Sequence, residues 1–158
     1  MKWIKRFLGM EEKATNYSAD DLIEAYEHAE REIRNAGSFN GKHYTEYIEC
    51  VKQLKRERKH DEAIKLLLEI VCAVEREAHV AEKLNRGAPW FIAPGYYKDL
   101  AIIYRKEKRY DKEVEILERY CDQTKAPGAS VSELEQRLTK AKELRDKHNL
   151  SKRNEYNG

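Results

Sequence analysis

Apolar residues recur every three to four positions through most of this chain, and that spacing marks helices. Leu22, Tyr26, Ala29 and Ile33 form one stripe, with Ser18 or Asp20 placed to cap its start, so the pattern predicts a helix over about 18–36. A second stripe, Tyr44, Tyr47, Ile48, Val51 and Leu54, predicts a helix over about 42–58. Ile64, Leu67, Val71, Val74, Ala78 and Ala81 extend a third over 61–84. Tyr97, Leu100, Ala101 and Tyr104 mark a fourth over 95–106, and Val114, Leu117 and Cys121 a fifth over 111–124. Ser130 and Glu133 have the spacing of a capping box and open a sixth, over 130–148, with Val131, Leu134, Leu138, Ala141 and Leu144 along one side.

The breaks agree with this division. Gly37, Ser38, Phe39, Asn40 and Gly41 read as a loop. Pro89, Pro94 and Gly87 interrupt the chain over 85–94, where Trp90, Phe91 and Ile92 are expected to fold back onto the core. Ala126, Pro127 and Gly128 end the fifth helix. The prediction is an all-α fold of about six helices stacked as antiparallel hairpins, with no sheet. Residues 1–17 form an amphipathic segment and linker, 18–148 the helical domain, and 149–158 a polar tail.

Residues 54–64 read LKRERKHDEAI, and residues 104–114 read YRKEKRYDKEV. Lys55 matches Arg105, Arg56 matches Lys106, Glu57 matches Glu107, Asp61 matches Asp111 and Ile64 matches Val114, always fifty residues apart. Tyr47 with Tyr97 and Leu67 with Leu117 extend the match outward. The repeated unit is a helix, a short charged turn and a second helix. One such hairpin cannot bury its apolar stripe alone, so neighbours must stack.

These units resemble the tetratricopeptide repeat. Tyr97, Leu100, Ala101, Tyr104, Tyr110, Asp111, Leu117 and Tyr120 stand at that family's positions in the second unit. Tyr47, Cys50, Val51, Leu54, His60, Asp61, Ala63, Leu67 and Ile70 do so in the first. The resemblance covers about 44–124, roughly half the chain. Val51 and Ala101 depart from the small residue of close helix approach, Glu113 replaces an alanine, and the offset exceeds the family's period of about 34 residues. The resemblance implies a stacked helical-repeat module that binds a partner protein through the first helices of its units. Carried over residue by residue, the groove positions are Lys52, Lys55, Arg56, Lys98, Arg105 and Lys106. Such cations suit an acidic partner, although they also suit the C-terminal turns of helices. The family's carboxylate clamp is not implied, because Ile48 and Lys52 stand where the first unit should supply lysine and asparagine. The helices at 19–36 and 130–148, or a second copy of the chain, can cover the open ends.

Composition adds three points. Charged residues make up 38% and hydrophobic ones 41%, which suits helices with solvated outer faces. Net charge is only +2, but Arg137, Lys140, Lys142, Arg145, Lys147, Lys152 and Arg153 face only Glu143 and Asp146 near the end. That basic stretch opens an alternative, a nucleic-acid-associated helical protein. Cys50, Cys72 and Cys121 show no CxxC spacing and read as buried thiols in a reducing compartment.

Catalytic and cofactor motifs are missing. There is no GxxxxGK, GxGxxG, HExxH or GxSxG. Glu75 and His79 share a helix face with Cys72 one turn back, but a metal needs a third or fourth ligand, so a Glu–His surface pair is expected. The expectation is a non-enzymatic protein-binding adaptor or inhibitor with neither metal nor cofactor. No run reaches membrane-span length, and MKWIKRFLG lacks the core of a signal peptide, so cytoplasmic residence is expected. Trp3, Ile4, Phe7 and Leu8 read as a latch on the domain or a partner contact, in preference to a lipid anchor.

Overall fold

Ser18 begins the described part of the chain. Its hydroxyl accepts the Asp21 amide at 3.1 Å, while the Asp21 carboxylate accepts from the Ser18 amide at 2.8 Å. This reciprocal box satisfies otherwise unpaired donors and starts α1, Ala19–Ala36, which buries Leu22, Ala29 and Ile33. The structure is a computed structural model and describes residues 18–84, 90–123 and 132–156. The amphipathic segment around Trp3, the capping residue Ser130 and the Ala126–Gly128 break lie outside them.

After α1 the chain does not go directly into a helix. β1, Ser38–Phe39, pairs antiparallel with β2, Lys42–His43, around a turn in which Asn40 has φ 49° and Gly41 φ 77°. Two successive left-handed residues make the tight turn that asparagine and glycine favour. The expected helix over 42–58 is therefore shorter: a 3₁₀ turn at Tyr44–Tyr47 precedes α2, Ile48–Arg56. Phe39 stacks on Tyr47 at 4.4 Å, and the Tyr47 hydroxyl donates to the Phe39 carbonyl. These contacts close the hairpin onto the helix that follows. Ile48, expected to point inward, is exposed.

Four more helices follow: α3, His60–Leu84; α4, Pro94–Lys106; α5, Tyr110–Cys121; and α6, Ser132–Tyr156. Pro94 suits the first turn of α4, where its missing N–H would be unpaired anyway. The all-α prediction holds, with six α-helices among the described residues and only the two-residue strands added. α3 packs against α1, α2 and α4, then α4 against α5, and α5 against α6. One core runs through these contacts, including Leu67, Ile70, Tyr97, Leu100, Leu117, Tyr120, Leu134 and Ala141. Ile92 is buried and Trp90 half-buried against that core, as the fold-back expectation requires, but Phe91 is 61% exposed.

Two further expectations are corrected. Cys50 is exposed and Cys72 and Cys121 are half-buried, all three as free thiols. Cys50 occupies the solvent side of α2, where only Val51 is fully buried. The polar tail also differs, because α6 continues past His148 to Tyr156. Lys, Arg, Glu and Leu favour helix, and no proline or glycine interrupts them before Gly158. Among the described residues, no helix is long and apolar enough to cross a membrane.

Candidate binding surface at the matched turns

The two matched turns of the sequence carry the same set of backbone hydrogen bonds. In the first turn the amides of Glu57, Arg58, Lys59 and Ala63 donate to the carbonyls of Gln53, Lys55, Leu54 and Lys59. In the second, Glu107, Lys108, Arg109 and Glu113 donate to Ile103, Arg105, Tyr104 and Arg109, each pair fifty residues further on. Both turns are Schellman motifs: the last carbonyls of the helix are satisfied by a residue in the left-handed conformation and its successor. That residue is glycine in most such caps. Here it is Arg58, at φ 56°, and Lys108, at φ 55°.

The six cations proposed for the groove divide into two groups. Lys52 Nζ lies 2.6 Å from Glu49, Lys55 Nζ 2.5 Å from Asp99 and Lys98 Nζ 2.5 Å from Glu133. Arg105 Nε donates to Glu113 at 2.8 Å. Arg56 and Lys106 are exposed and form no ion pair with any described residue. Arg58 and Lys108 likewise stand exposed and unpaired. The basic surface free to meet a partner therefore centres on Arg56, Arg58, Lys106 and Lys108, at matched positions of the two turns. Arg58 and Lys108 were missed as site residues, although both lie inside the matched strings. Their turn position became a signal only once the backbone placed them outside the helix.

Glu113 explains why Arg105 is not available. The residue is fully buried, and its carboxylate accepts from Arg105 on α4 and from Arg137 Nη2 on α6 at 3.1 Å. The equivalent residue of the first unit is the buried Ala63. The departure noted in the sequence is thus a structural joint: a buried carboxylate held by two guanidinium groups that fastens α6 to the second hairpin. Arg105 Nη2 and Arg137 Nε are buried without a hydrogen-bond partner, so this joint carries a desolvation cost.

Other ion pairs tie the units to each other. His60 Nδ1 meets Glu107, and Arg109 Nη1 lies 3.5 Å from Asp61, with Arg109 Cζ 5.1 Å from the centre of the Tyr104 ring. Both contacts join the start of α3 to the second turn.

Glu75 forms a second polar node but not a metal site. Arg119 donates to it through Nε at 2.9 Å and Nη2 at 2.6 Å, and the Tyr97 hydroxyl at 2.9 Å. Glu75 is thus bound to Arg119 and Tyr97, and the Glu75–His79 surface pair does not form. Burial, together with the adjacent Glu75 charge, pushes the Tyr97 phenol well above its ordinary value. The Arg119 guanidinium is held above its own ordinary value by that hydrogen bond. Among the described residues, no three His, Cys, Asp or Glu side chains are grouped to hold a metal ion.

Comparison with protein-family models, with curated proteins and with solved structures finds no match.

Proposed function

We propose that this protein is a non-enzymatic interaction module, a small cytoplasmic adaptor or inhibitor of tetratricopeptide-like build, that binds an acidic partner protein. The observation that supports it most directly is the duplicated turn. Two hairpins with the same hydrogen bonds present arginine or lysine at the same backbone positions, Arg56 with Lys106 and Arg58 with Lys108. A carboxylate-bearing surface would meet four cations that need no prior ion pair broken. Of the carried-over groove cations, Lys55, Lys98 and Arg105 already pair with another helix and Lys52 pairs within its own. The alternative, a nucleic-acid-associated role, has its own support in α6, where Lys140, Lys147, Lys152 and Arg153 are exposed without acidic partners.

The test is capture of partners from native lysate by the wild type and two charge-reversed variants, with and without nuclease. Arg56→Glu with Lys106→Glu should lose the captured protein, whereas Lys65→Glu with Lys83→Glu should retain it. Capture that vanishes on nuclease treatment favours the nucleic-acid reading. Equal loss from both variants reduces the effect to long-range charge and removes the surface assignment.

A further inference from the structure

A cavity of about 330 Å³ opens where the second turn and the start of α5 meet the far half of α6. Lys108, Arg109, Lys112, His148 and Lys152 line it, with Asp111 as the carboxylate among its lining residues. We propose that this cavity is a binding site for a single phosphate group, carried as the free ion or as a phosphate monoester. The site shares Lys108 with the adaptor surface but does not rest on that reading.

The charges argue for an anion of more than one charge. Four permanently basic side chains converge from three pieces of chain: the turn, α5 and α6. Lys108 and Lys152 have no acidic partner among the described residues. Lys112 shares Glu115 at 2.7 Å, and Arg109 reaches Asp61 through Nη1 alone, at 3.5 Å. The remaining guanidinium N–H groups of Arg109 stay available. Lys108 owes its position to the left-handed backbone that ends α4, so an otherwise unfavourable conformation aims a cation beside the cavity. His148 is fixed against the opposite wall by the Tyr110 ring, at 4.8 Å and edge-on, and no described residue bonds its ring nitrogens.

The donors favour a phosphate group over a carboxylate. Lysine and arginine offer only N–H donors; a phosphate monoester dianion offers only acceptors, directed tetrahedrally, and the free dianion offers three such oxygens beside one P–OH. Donors arriving from three directions suit that arrangement better than a planar carboxylate, which carries half the charge. A pocket of this size, open to solvent on one side, suits one phosphate group better than an extended strand, which needs a continuous groove and stacking platforms.

The test uses the full chain, isotope-labelled, with amide chemical shifts followed as inorganic phosphate replaces chloride at constant ionic strength. Saturable shifts should be confined to residues 108–112 and 148–152. Lys108→Glu with Lys152→Glu should weaken the apparent affinity at least about tenfold, and Lys65→Glu with Lys83→Glu should leave it unchanged. Phosphoserine in place of inorganic phosphate separates the two sources: tighter binding assigns the site to a monoester, equal binding to the free ion. Shifts that never saturate, that appear equally around Lys65 and Lys83, or that survive the Lys108/Lys152 reversal would overturn the site. So would an oligonucleotide that shifts the whole of α6 while phosphate shifts nothing. Should the reversed variant unfold, judged by circular dichroism, Lys108→Gln with Lys152→Gln carries the same expectation.

Discussion

Arg58 and Lys108 hold a conformation that a side chain disfavours by about 1–2 kcal/mol. The two turns tolerate it because each closes two hydrogen bonds that no other geometry would satisfy there, Lys59 to Leu54 and Arg58 to Lys55 in the first, and their counterparts in the second. Glycine would remove the strain without touching those bonds. Replacing Arg58 or Lys108 with glycine should therefore stabilise the fold by about 0.5–1 kcal/mol each, after the larger backbone entropy of glycine in the unfolded chain is counted. Urea unfolding checks this, and a loss of stability in both variants would show that the side chains themselves hold the turns. Sequence could have indicated part of this scale. Ser18 with Asp21, and Asn40 with Gly41, are local signals whose geometry follows from two to four residues. The left-handed cations were not legible, because neither arginine nor lysine announces that conformation.

Among the elements, α6 has the weakest sequence signal and depends most on one buried group. Its described residues bury only Leu134 and Ala141, and the Glu113–Arg137 bond anchors it to α5. Removing Glu113 alone strands two guanidinium groups that are already short of partners. Glu113→Ala should cost about 3–5 kcal/mol. Glu113→Ala combined with Arg137→Met should cost clearly less than the sum of the single changes, because the second removes one of the two charges that the first stranded. Denaturant melts of the four proteins in this double-mutant cycle give the comparison, and strict additivity would mean that the carboxylate does not fasten α6. The sequence marked Glu113 as a departure from the repeat but could not supply its partner. Arg137 lies 24 residues away on another helix, and no local pattern pairs them.

At the scale of the whole molecule, the all-α class followed from apolar spacing, and the order of packing largely follows chain order, with α1 set against α3. What stayed hidden was the division of surface cations into paired and free groups, which depends on approaches between helices far apart in sequence. Tyr97, which is buried, and the half-buried Tyr44 give the fold an alkaline limit. Burial raises the Tyr97 phenol well above its usual value, and burial with the nearby Glu77 charge raises Tyr44 to about 12. The unfolded chain gives up these protons near pH 10, whereas the folded chain keeps them. Their contribution is therefore complete below pH 10; that of Tyr44 is lost as the pH rises to about 12, and that of Tyr97 is still falling there. For Tyr97 the slope reaches at most about 1.4 kcal/mol per pH unit. Melting temperatures across pH 9–12 should fall more steeply for the wild type than for Tyr44→Phe with Tyr97→Phe. Parallel curves would assign the alkaline loss to other groups.

Ala63 and Glu113 occupy the same place in two otherwise equivalent turns, and each determines what can be built beside its hairpin. The methyl group of Ala63 makes no polar demand on whatever packs there. The carboxylate of Glu113 requires a guanidinium from the next element, and α6 supplies it in Arg137. A single buried carboxylate thus dictates which neighbour this hairpin accepts, and alanine at position 113 would lift that polar demand.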